Sequence, residues 1–343
     1  MSTEISWTDE TWNPVLGCDR VGPGCDSCYA INTAHIRAGH PNPKISTAFA
    51  GITDRRDGRI DWTGQVNLLP ERLTIPLRWK KPRRIFVNSQ SDLFHDNVPD
   101  DFIHQVFAVM AATPQHTYQI LTKRHGRMRS LLRDECRCGK GHVPGVHFKS
   151  AIGWVATSHS PLHVPGLPKG LYHQISWPLP NVWVGVSVED QKRADLRIPA
   201  LCDTPAAVRW ISAEPLLGPL DLAEHFAPAK PAEWGDAWDR GNLAWVVYGG
   251  ESGRDARPMH LAWARSLRDQ CLAARVPQHF KQWGNWVPPS QMTEDAFMSW
   301  DVANGTSAYD HDRPWHLGKH RAGRLLDERT WDEFPAARTE AAA

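Results

Sequence analysis

Short runs of apolar residues recur along the middle of the chain, and each run ends in polar residues. Runs rich in β-branched and aromatic side chains cover 85–88, 118–121, 182–186, 208–211, 245–248 and 279–281. Continuous apolar runs of this length are typical of strands buried on both faces, as in a parallel sheet. We therefore predict a parallel sheet of six to seven strands, in which the run at 85–88 is the second strand.

Helix-like stretches separate these runs. Apolar residues between 100 and 112 recur close to the 3.6-residue period of an amphipathic helix. We also predict helices at 190–202 and 261–274. Alternation of strand and helix indicates βαβ units, whose right-handed crossovers build either an open doubly wound sheet or a barrel.

Polar clusters directly after the strands decide between these two architectures. They lie at 89–92, 122–124, 187–189, 212–214 and 249–251. The strand ends of a parallel barrel converge at its carboxyl-terminal mouth, where active sites form. A doubly wound sheet would place only a few of these clusters at its switch point. The prediction is therefore an α/β fold, a partial parallel (β/α) barrel.

Two stretches interrupt this rhythm. Residues 134–180 are rich in Gly, His and Pro, and we interpret them as an insertion after the third strand. Residues 285–343 carry little strand signal, so we expect a C-terminal extension with a disordered tail. The predicted organisation is a barrel domain at 1–284, which includes the insertion, followed by that extension.

Composition narrows the functional classes. The formal net charge is +1, so no global field attracts nucleic acid or membranes, and residues 78–84 form the strongest local basic stretch. No apolar run approaches the length of a transmembrane helix, and the N-terminus lacks the regions of a secretory signal. We therefore expect a cytoplasmic protein without a membrane partner, whose seven cysteines are metal ligands or core residues.

Most of the 17 tryptophans are expected in the core, while Trp283 and Trp286 are candidates for stacking on an aromatic substrate.

Three cysteines lie close together near the N-terminus. Cys18, Cys25 and Cys28 are separated by six and then two residues, and residues 22–24 read Gly-Pro-Gly. Thiolates in short glycine-rich loops of this kind hold iron–sulfur clusters. Three protein ligands would leave one iron of a four-iron cluster open to a substrate or cofactor.

A zinc ion is the alternative occupant of this loop, with His35 or His40 as the fourth ligand. Zinc ribbons usually pair two Cys-x-x-Cys motifs, and this loop contains one. Under this alternative the protein would be a zinc-stabilised, non-catalytic interaction protein. The spacing favours the cluster.

The cysteine loop resembles that of radical S-adenosylmethionine (SAM) enzymes, in particular the branch that contains spore photoproduct lyase. The resemblance rests on Asn13-Pro14, Gly17-Cys18 and Cys25-x-x-Cys28-Tyr29-Ala30. Further motifs resemble a phage-associated family of uncertain function with the same three-cysteine signature, and they lie at 87–94, 121–124, 185–189, 212–216, 249–253 and 280–284. The superfamily usually has three residues between its first two cysteines. The extra residues here either bulge outward with the ligands in place or indicate an altered cluster.

The resemblance implies a mechanism. The open iron of a [4Fe–4S] cluster binds the amino and carboxylate groups of SAM, and an electron from an external donor cleaves the sulfonium. The 5′-deoxyadenosyl radical then abstracts hydrogen from the substrate, while the protein positions the cofactor.

The resemblance also implies which residues contact SAM. The expected cofactor-binding residues are Tyr29, Ser89, Ser91, Asp92, Lys123, Ser187, Glu189, Glu214, Gly249, Gly250, Glu251 and Lys281. Asp92 is expected either to accept the methionine ammonium or to cap the following turn. Ser187 and Glu189 are expected at the ribose, and the two glycines are expected to permit close approach of adenine or substrate. Lys123 and Lys281 would bind the cofactor carboxylate or a substrate phosphate, and the alternative is that they are lysines at the barrel rim whose ammonium groups extend to solvent.

The insertion carries a second group of metal-ligating residues. Cys136, Cys138, His142 and His147 suffice in type and number for a tetrahedral zinc site. The two cysteines are one residue apart, which is tighter than the usual knuckle, so a coincidental Gly/His-rich loop is the alternative.

The sequence therefore predicts a radical SAM enzyme that modifies or repairs a nucleotide or a nucleic-acid base. A non-catalytic zinc protein is one alternative. A radical enzyme acting on a peptide or a small metabolite is the other.

Overall fold

The computed structural model describes residues 3, 5–136, 142–226, 242–298 and 314–336. Its central element is one sheet of seven strands, all parallel and ordered along the sheet as along the chain. The strands are β1 Glu10–Trp12, β2 Arg84–Val87, β3 Thr117–Thr122, β4 Val182–Ser187, β5 Val208–Ala213, β6 Trp245–Gly249 and β7 Gln278–Gln282. The sheet curls into a half-barrel with helices packed around it.

The predicted fold class is confirmed, and the six apolar runs are β2 to β7. The seventh strand, β1, has only three residues and pairs with β2 in the register Glu10 to Ile85. A segment that short, beginning with two polar residues, carries no apolar run by which it could be recognised.

The six longer helices are α1 Tyr29–Ala38, α2 Asp100–Ala111, α3 His125–Arg133, α4 Val146–Val155, α5 Gln191–Cys202 and α6 Leu261–Ala274. The three predicted helices correspond to α2, α5 and α6 within one residue at each end. The side chain of Asp190 accepts the amide of Arg193 at 2.9 Å, so this residue caps α5 rather than beginning it. No helix among the described residues has the length and apolar character needed to cross a membrane.

Short antiparallel strand pairs and single helical turns make up the remaining elements. Three antiparallel strand pairs join Val15–Leu16 to Asn67–Leu68, Thr53–Arg56 to Arg59–Trp62, and Trp286–Val287 to Trp315–His316. One-turn α-helices form at Pro43–Ser46, Leu171–Gln174, Ala223–Phe226 and Lys319–Ala322, and 3-10 turns form at Pro23–Cys25, Thr47–Phe49, Pro70–Arg72, Pro76–Arg78 and Pro289–Gln291.

Tryptophans fill the interior of the half-barrel. Trp7 packs on Phe86 and Trp210 with ring centroids 4.7 and 5.3 Å apart, and Trp210 packs on Trp245 at 5.1 Å. A Cβ on Gly185 would lie 2.5 Å from the Trp210 ring, so β4 needs a glycine where the indole crosses it. These rings form a solid floor, which leaves the polar ends of the strands to line a cavity above it.

The insertion and the extension both pack on this frame. In the insertion, Phe148 of α4 contacts Phe107 of α2 with ring centroids 5.0 Å apart. In the extension, the Phe280 amide donates to the Trp331 carbonyl at 2.9 Å, which covers the outer edge of β7. The predicted disordered tail lies outside the described residues from 337 onward.

Candidate active site

A cavity of about 630 Å³ opens at the carboxyl ends of the strands. Thirteen of the predicted residues line it: Cys18, Cys25, Cys28, Tyr29, Ser89, Ser91, Asp92, Lys123, Ser187, Glu214, Gly250, Glu251 and Lys281. The prediction that the polar residues at the strand ends lie together therefore holds for nine of these, and the cysteine loop with Tyr29 supplies the other four. Glu189 and Gly249 do not line the cavity.

Cys28 is placed by the start of α1, for which it is the N-cap. Burial raises the pKa of its thiol, while the amides of Ala30 and Ile31 and the charge of Lys123 oppose that rise. Hydrogen-bond donors and a cation at a helix N-terminus stabilise a thiolate. The surroundings of Cys28 therefore suit a sulfur that becomes a metal ligand.

Cys18 lies in a similarly enclosed position. Burial, together with the charge of Asp92, raises the pKa of its thiol to about 12, and Arg124 works against that rise. At neutral pH this thiol carries its proton, so a metal that binds here must displace it. Arg124 also forms an ion pair with Asp19, the residue after Cys18.

The loop between Cys18 and Cys25 is docked on the end of β4. The Gly24 amide donates to the Glu189 carboxylate at 3.2 Å, and a Cβ on Gly24 would lie 2.7 Å from Cγ of Glu189. Glu189 in turn pairs with Arg197 of α5 at 2.7 Å, with both side chains almost fully buried. Glu189 is therefore engaged beneath the loop and does not line the cavity, and the ribose contact expected of it stays a prediction.

A second anchor holds the same loop from the end of β6. Arg257 donates to the Glu251 carboxylate at 2.6 Å and to the Pro23 carbonyl at 2.8 Å. It also contacts Asp26 at 3.3 Å. Pro23 and Gly24 of the six-residue spacing therefore contact the barrel rather than bulging into solvent, whereas Arg20 and Val21 are exposed and Arg20 pairs with Asp61 at 2.9 Å.

Asp92 uses its carboxylate within the protein. It accepts the hydroxyl of Thr122 at 2.7 Å and the amides of Phe94 and Lys123, each at 3.0 Å. These bonds cap the turn after β2 and tie it to the end of β3. Of the two predicted roles, the structure shows the cap, which uses three of the roughly four acceptor positions of the carboxylate.

The glycines after β6 are required by the neighbouring strand. A Cβ on Gly250 would lie 1.9 Å from the Trp283 carbonyl, and one on Gly249 would lie 2.9 Å from the Gln282 carbonyl. The two glycines were expected to permit close approach of adenine or substrate. In the structure, the backbone of β7 and of the residue after it makes this close approach to the glycines. Trp283 is fully buried, so it does not stack on a ligand.

The remaining predicted residues form short polar contacts around the cavity. Lys281 pairs with Glu214 at 2.7 Å, and Lys123 donates to the Ser187 hydroxyl at 3.2 Å. The Tyr29 hydroxyl donates to the Ser89 carbonyl at 2.7 Å, which joins α1 to the end of β2.

The chain is similar to one protein family. A family model described as "Protein of unknown function (DUF5131)" matches residues 2–335. The chain belongs to the DUF5131 family. No curated protein and no solved structure matches it.

In this DUF5131 chain, the expected basic segment lies away from the cavity. Residues 78–83 precede β2 and Arg84 begins it, at the amino end of the sheet, while the cavity lies at the carboxyl ends. Arg83 pairs with Glu10 at 2.5 Å and Arg84 with Asp9 at 2.9 Å. These contacts make the segment a lead-in to β2 that is held by neighbouring carboxylates.

Other cations face the cavity instead. Arg37, Lys123 and Lys319 line it, and none of them forms an ion pair with the part of the chain that the structure describes. Arg37 lies over the ring of Phe49 with 5.5 Å between guanidinium carbon and centroid. The described lining of the cavity thus includes three cations without an ion-pair partner and one carboxylate, Asp92, that likewise forms no ion pair.

The histidines considered as a fourth ligand beside the three cysteines have other contacts. The His35 ring lies 3.4 Å from the Thr53 hydroxyl, and the His40 ring accepts the Asn42 amide at 3.0 Å. Neither histidine lines the cavity.

Three of the four residues predicted for the second metal site lie close together in the structure. Ligand atoms of Cys136, His142 and His147 all lie within 4.8 Å of one another. Cys138 lies outside the described residues.

Sequence reasoning missed the two arginines that hold the cysteine loop. Arg197 was detectable, because it lies among Ala194, Ile198 and Leu201 on the buried face of α5, and an arginine there requires a carboxylate. Arg257 gave no such signal, since its partners Pro23 and Asp26 lie more than 200 positions away in the chain.

Proposed function

We propose that this DUF5131 protein is a radical SAM enzyme. Cys18, Cys25 and Cys28 would hold a [4Fe–4S] cluster, and the 5′-deoxyadenosyl radical would serve to modify or repair a nucleotide or a nucleic-acid base. The observation that carries the proposal is that these three cysteines line one cavity at the carboxyl-terminal mouth of a parallel half-barrel. Three thiolates with an adjacent open cavity are what a cluster with one open iron requires.

The donor set fits a cluster better than a single zinc ion. The ligand atoms of one tetrahedral zinc ion lie close to one another. In a four-iron cluster each cysteine sulfur binds a different iron, so the sulfur atoms lie farther apart. Among the described residues, the one group of three ligand atoms within 4.8 Å of one another is in the insertion, and the loop cysteines do not form such a group. Burial raises the pKa values of Cys28 and Cys18, and the charges of Lys123 and Arg124 oppose that rise, so these cations suit the negative charge of a thiolate-bound cluster.

The cluster, once reduced by an external electron donor, would supply the electron that cleaves SAM. The chain's own residues would bind and orient the cofactor. Lys123 is the cation beside Cys28 and would pair with the methionine carboxylate. The Ser187 and Ser212 hydroxyls line the cavity farther along the sheet, where a ribose could bond them.

The floor of the cavity supports a buried reaction. Trp7 is 3% exposed and lines the cavity, and its indole N–H has no hydrogen-bond partner in the described part of the chain. A buried donor without a partner favours a polar ligand atom above it. The tryptophan floor keeps water from entering through the amino end of the half-barrel.

An anionic substrate is supported by the cations at the cavity. Arg37 and Lys319 line it without an ion-pair partner among the described residues, and each could bind a phosphate. The net charge of +1 gives no broad field for duplex binding, so the substrate class that fits is a nucleotide or one exposed base.

Cluster binding is tested by anaerobic reconstitution with iron and sulfide, followed by electron paramagnetic resonance of the reduced protein. We expect a cluster signal that changes when SAM is added. Cys28→Ala should lose it, and Cys202→Ala should keep it because Cys202 lies at the end of α5, away from the cavity. Zinc uptake with no cluster signal in the wild type would contradict the proposal.

The substrate class has a separate test on the reconstituted protein. Binding of a 5′-phosphorylated dinucleotide should weaken about 10-fold or more in Arg37→Met/Lys319→Met, since two phosphate-binding charges are lost. The matched control is Arg56→Met/Lys44→Met, which removes two exposed cations outside the cavity. Equal weakening in both variants would show only a general charge effect, which contradicts a phosphate site in the cavity.

A further inference from the structure

We propose that Cys136, His142 and His147 bind a zinc ion that holds the insertion together, separately from the cysteine loop. Two imidazoles and one thiolate are a donor set that zinc prefers. The proposal rests on these three described residues.

The distances agree with one shared ion. All three ligand atoms lie within 4.8 Å of one another, and Cys136 Sγ lies 3.4 Å from His142 Nδ1. With Zn–S and Zn–N bonds near 2.3 and 2.0 Å, two ligand atoms on a tetrahedral zinc lie ~3.5 Å apart. The observed separation therefore needs little rearrangement of the side chains.

The backbone closes the loop that carries these ligands. Asp134 ends α3 with φ 35° and Gly145 precedes α4 with φ 80°, and the Gly145 amide contacts the Asp134 carbonyl at 3.4 Å. A Cβ on Gly145 would lie 2.0 Å from the Trp177 indole nitrogen, so this turn is fixed from outside as well. The loop is thereby closed at its base, and His147 is carried on the first turn of α4.

The charges around the site permit a cation. A cavity of about 560 Å³ is lined by Cys136 and His147 together with Asp134, Glu135, Arg129 and Arg133. Both arginines pair with Asp203, at 2.9 and 3.0 Å, and Arg133 also pairs with Glu135 at 3.0 Å. Asp203 and Glu135 thus offset the two arginine charges, which leaves Asp134 to favour a divalent metal over an anion.

The ion would connect two helices. Cys136 follows α3, and His147 lies in the first turn of α4, whose Phe148 packs against α2. A metal across this gap would fix the insertion on the outside of the half-barrel. Its loss should loosen the insertion without removing a ligand from the cysteine loop.

The test uses the full chain with Cys18→Ala/Cys25→Ala/Cys28→Ala, so that thiolate signals cannot come from the cysteine loop. The protein is stripped with a chelator, reloaded with Zn²⁺ and analysed for bound zinc. We expect about one zinc per chain. Adding Cys136→Ser/His147→Ala should reduce zinc about 10-fold, whereas Cys202→Ser/His173→Ala, which changes a cysteine and an exposed histidine that do not line this cavity, should leave it unchanged.

Cobalt gives an independent readout with the three ligands intact. Co²⁺ in this background should produce a thiolate-to-cobalt charge-transfer band and the intense visible bands of tetrahedral coordination. Zinc retained by Cys136→Ser/His147→Ala would overturn the proposal, as would a cobalt spectrum without these bands. The cobalt spectrum is recorded with Cys136, His142 and His147 intact. Its outcome therefore does not depend on whether the Cys136→Ser/His147→Ala variant folds.

Discussion

The backbone amide of Gly24 donates to the carboxylate of Glu189 at 3.2 Å, which fixes the cysteine loop on the end of β4. Gly24 is the residue before Cys25, so this contact sets where the second cysteine of the loop lies. Glu189 itself is held by Arg197. The position of a proposed cluster ligand therefore depends on a buried ion pair that does not line the cavity.

Gly24→Ala should disturb this contact. The new Cβ would lie 2.7 Å from Cγ of Glu189, so the loop or the carboxylate must shift, at a cost of about 1–3 kcal/mol. We expect iron content after reconstitution to fall more than two-fold, by the loss of loop position rather than of a ligand. Gly39→Ala is the matched control, because its Cβ would lie at an ordinary 3.7 Å from the Ile36 carbonyl. Full iron loading in Gly24→Ala would count against this contact as a determinant of the loop.

Glu189→Gln should destabilise the protein because it leaves the buried Arg197 without its partner carboxylate. The glutamine can still accept the Gly24 amide, but Arg197 keeps an uncompensated charge at 4% side-chain exposure. We expect the free energy of unfolding to fall by about 3–5 kcal/mol. Removing both charges in Glu189→Gln/Arg197→Met should cost less than Glu189→Gln alone, as measured by urea denaturation. A double variant that is the less stable of the two would contradict this account.

Asp92→Asn tests whether that carboxylate is a cap or a cofactor ligand. An asparagine offers one oxygen where two now accept three donors, so the free energy of unfolding should fall by about 1–3 kcal/mol. The affinity of the reconstituted protein for SAM should change less than about 3-fold. Normal stability combined with a large loss of SAM binding would instead identify Asp92 as the ammonium ligand.

His279 should make the protein less stable in acid. Burial, assisted by Arg324 and Lys281, lowers the pKa of His279 to about 4, against the opposing charge of Asp332. Between pH 6.5 and 4 the unfolded chain binds a proton that the native histidine does not, so stability falls as the pH falls through this window. The contribution is at most about 3 kcal/mol.

The measurement for His279 is urea denaturation at pH 7 and pH 4.5 in the wild type and in His279→Gln. The variant should lose less stability between the two pH values. His173→Gln, at an exposed position, should behave as the wild type does. Identical pH dependence in wild type and His279→Gln would show that the buried histidine does not carry the effect.

The sequence predicted the frame of this fold well, because the frame depends on local patterns. The runs at 85–88 and 182–186 are apolar on both faces, and both are strands of the parallel sheet. The helix at 261–274 matched the structure residue for residue. The clustering of polar residues at the strand ends followed from the geometry of parallel strands alone.

The roles of individual site residues were harder to predict, since they depend on long-range partners. Glu189 and Asp92 were placed near the right strand ends, but the sequence could not show that Arg197 and Thr122 occupy them. Gly250 was interpreted as space for a ligand, and only the structure places the Trp283 carbonyl there. Spacing along a chain predicts residue types at a site, while hydrogen-bond partners depend on how distant segments pack.

The most direct test of the central claim is the cleavage of SAM. The reconstituted protein is reduced with dithionite under anaerobic conditions, and 5′-deoxyadenosine is measured in wild type, Cys28→Ala and Cys202→Ala. We predict formation of 5′-deoxyadenosine in the wild type and in Cys202→Ala, and none above background in Cys28→Ala. A cluster-loaded wild type that forms no 5′-deoxyadenosine, or equal amounts from wild type and Cys28→Ala, would contradict the proposal that the cysteine loop holds the cluster of a radical SAM enzyme.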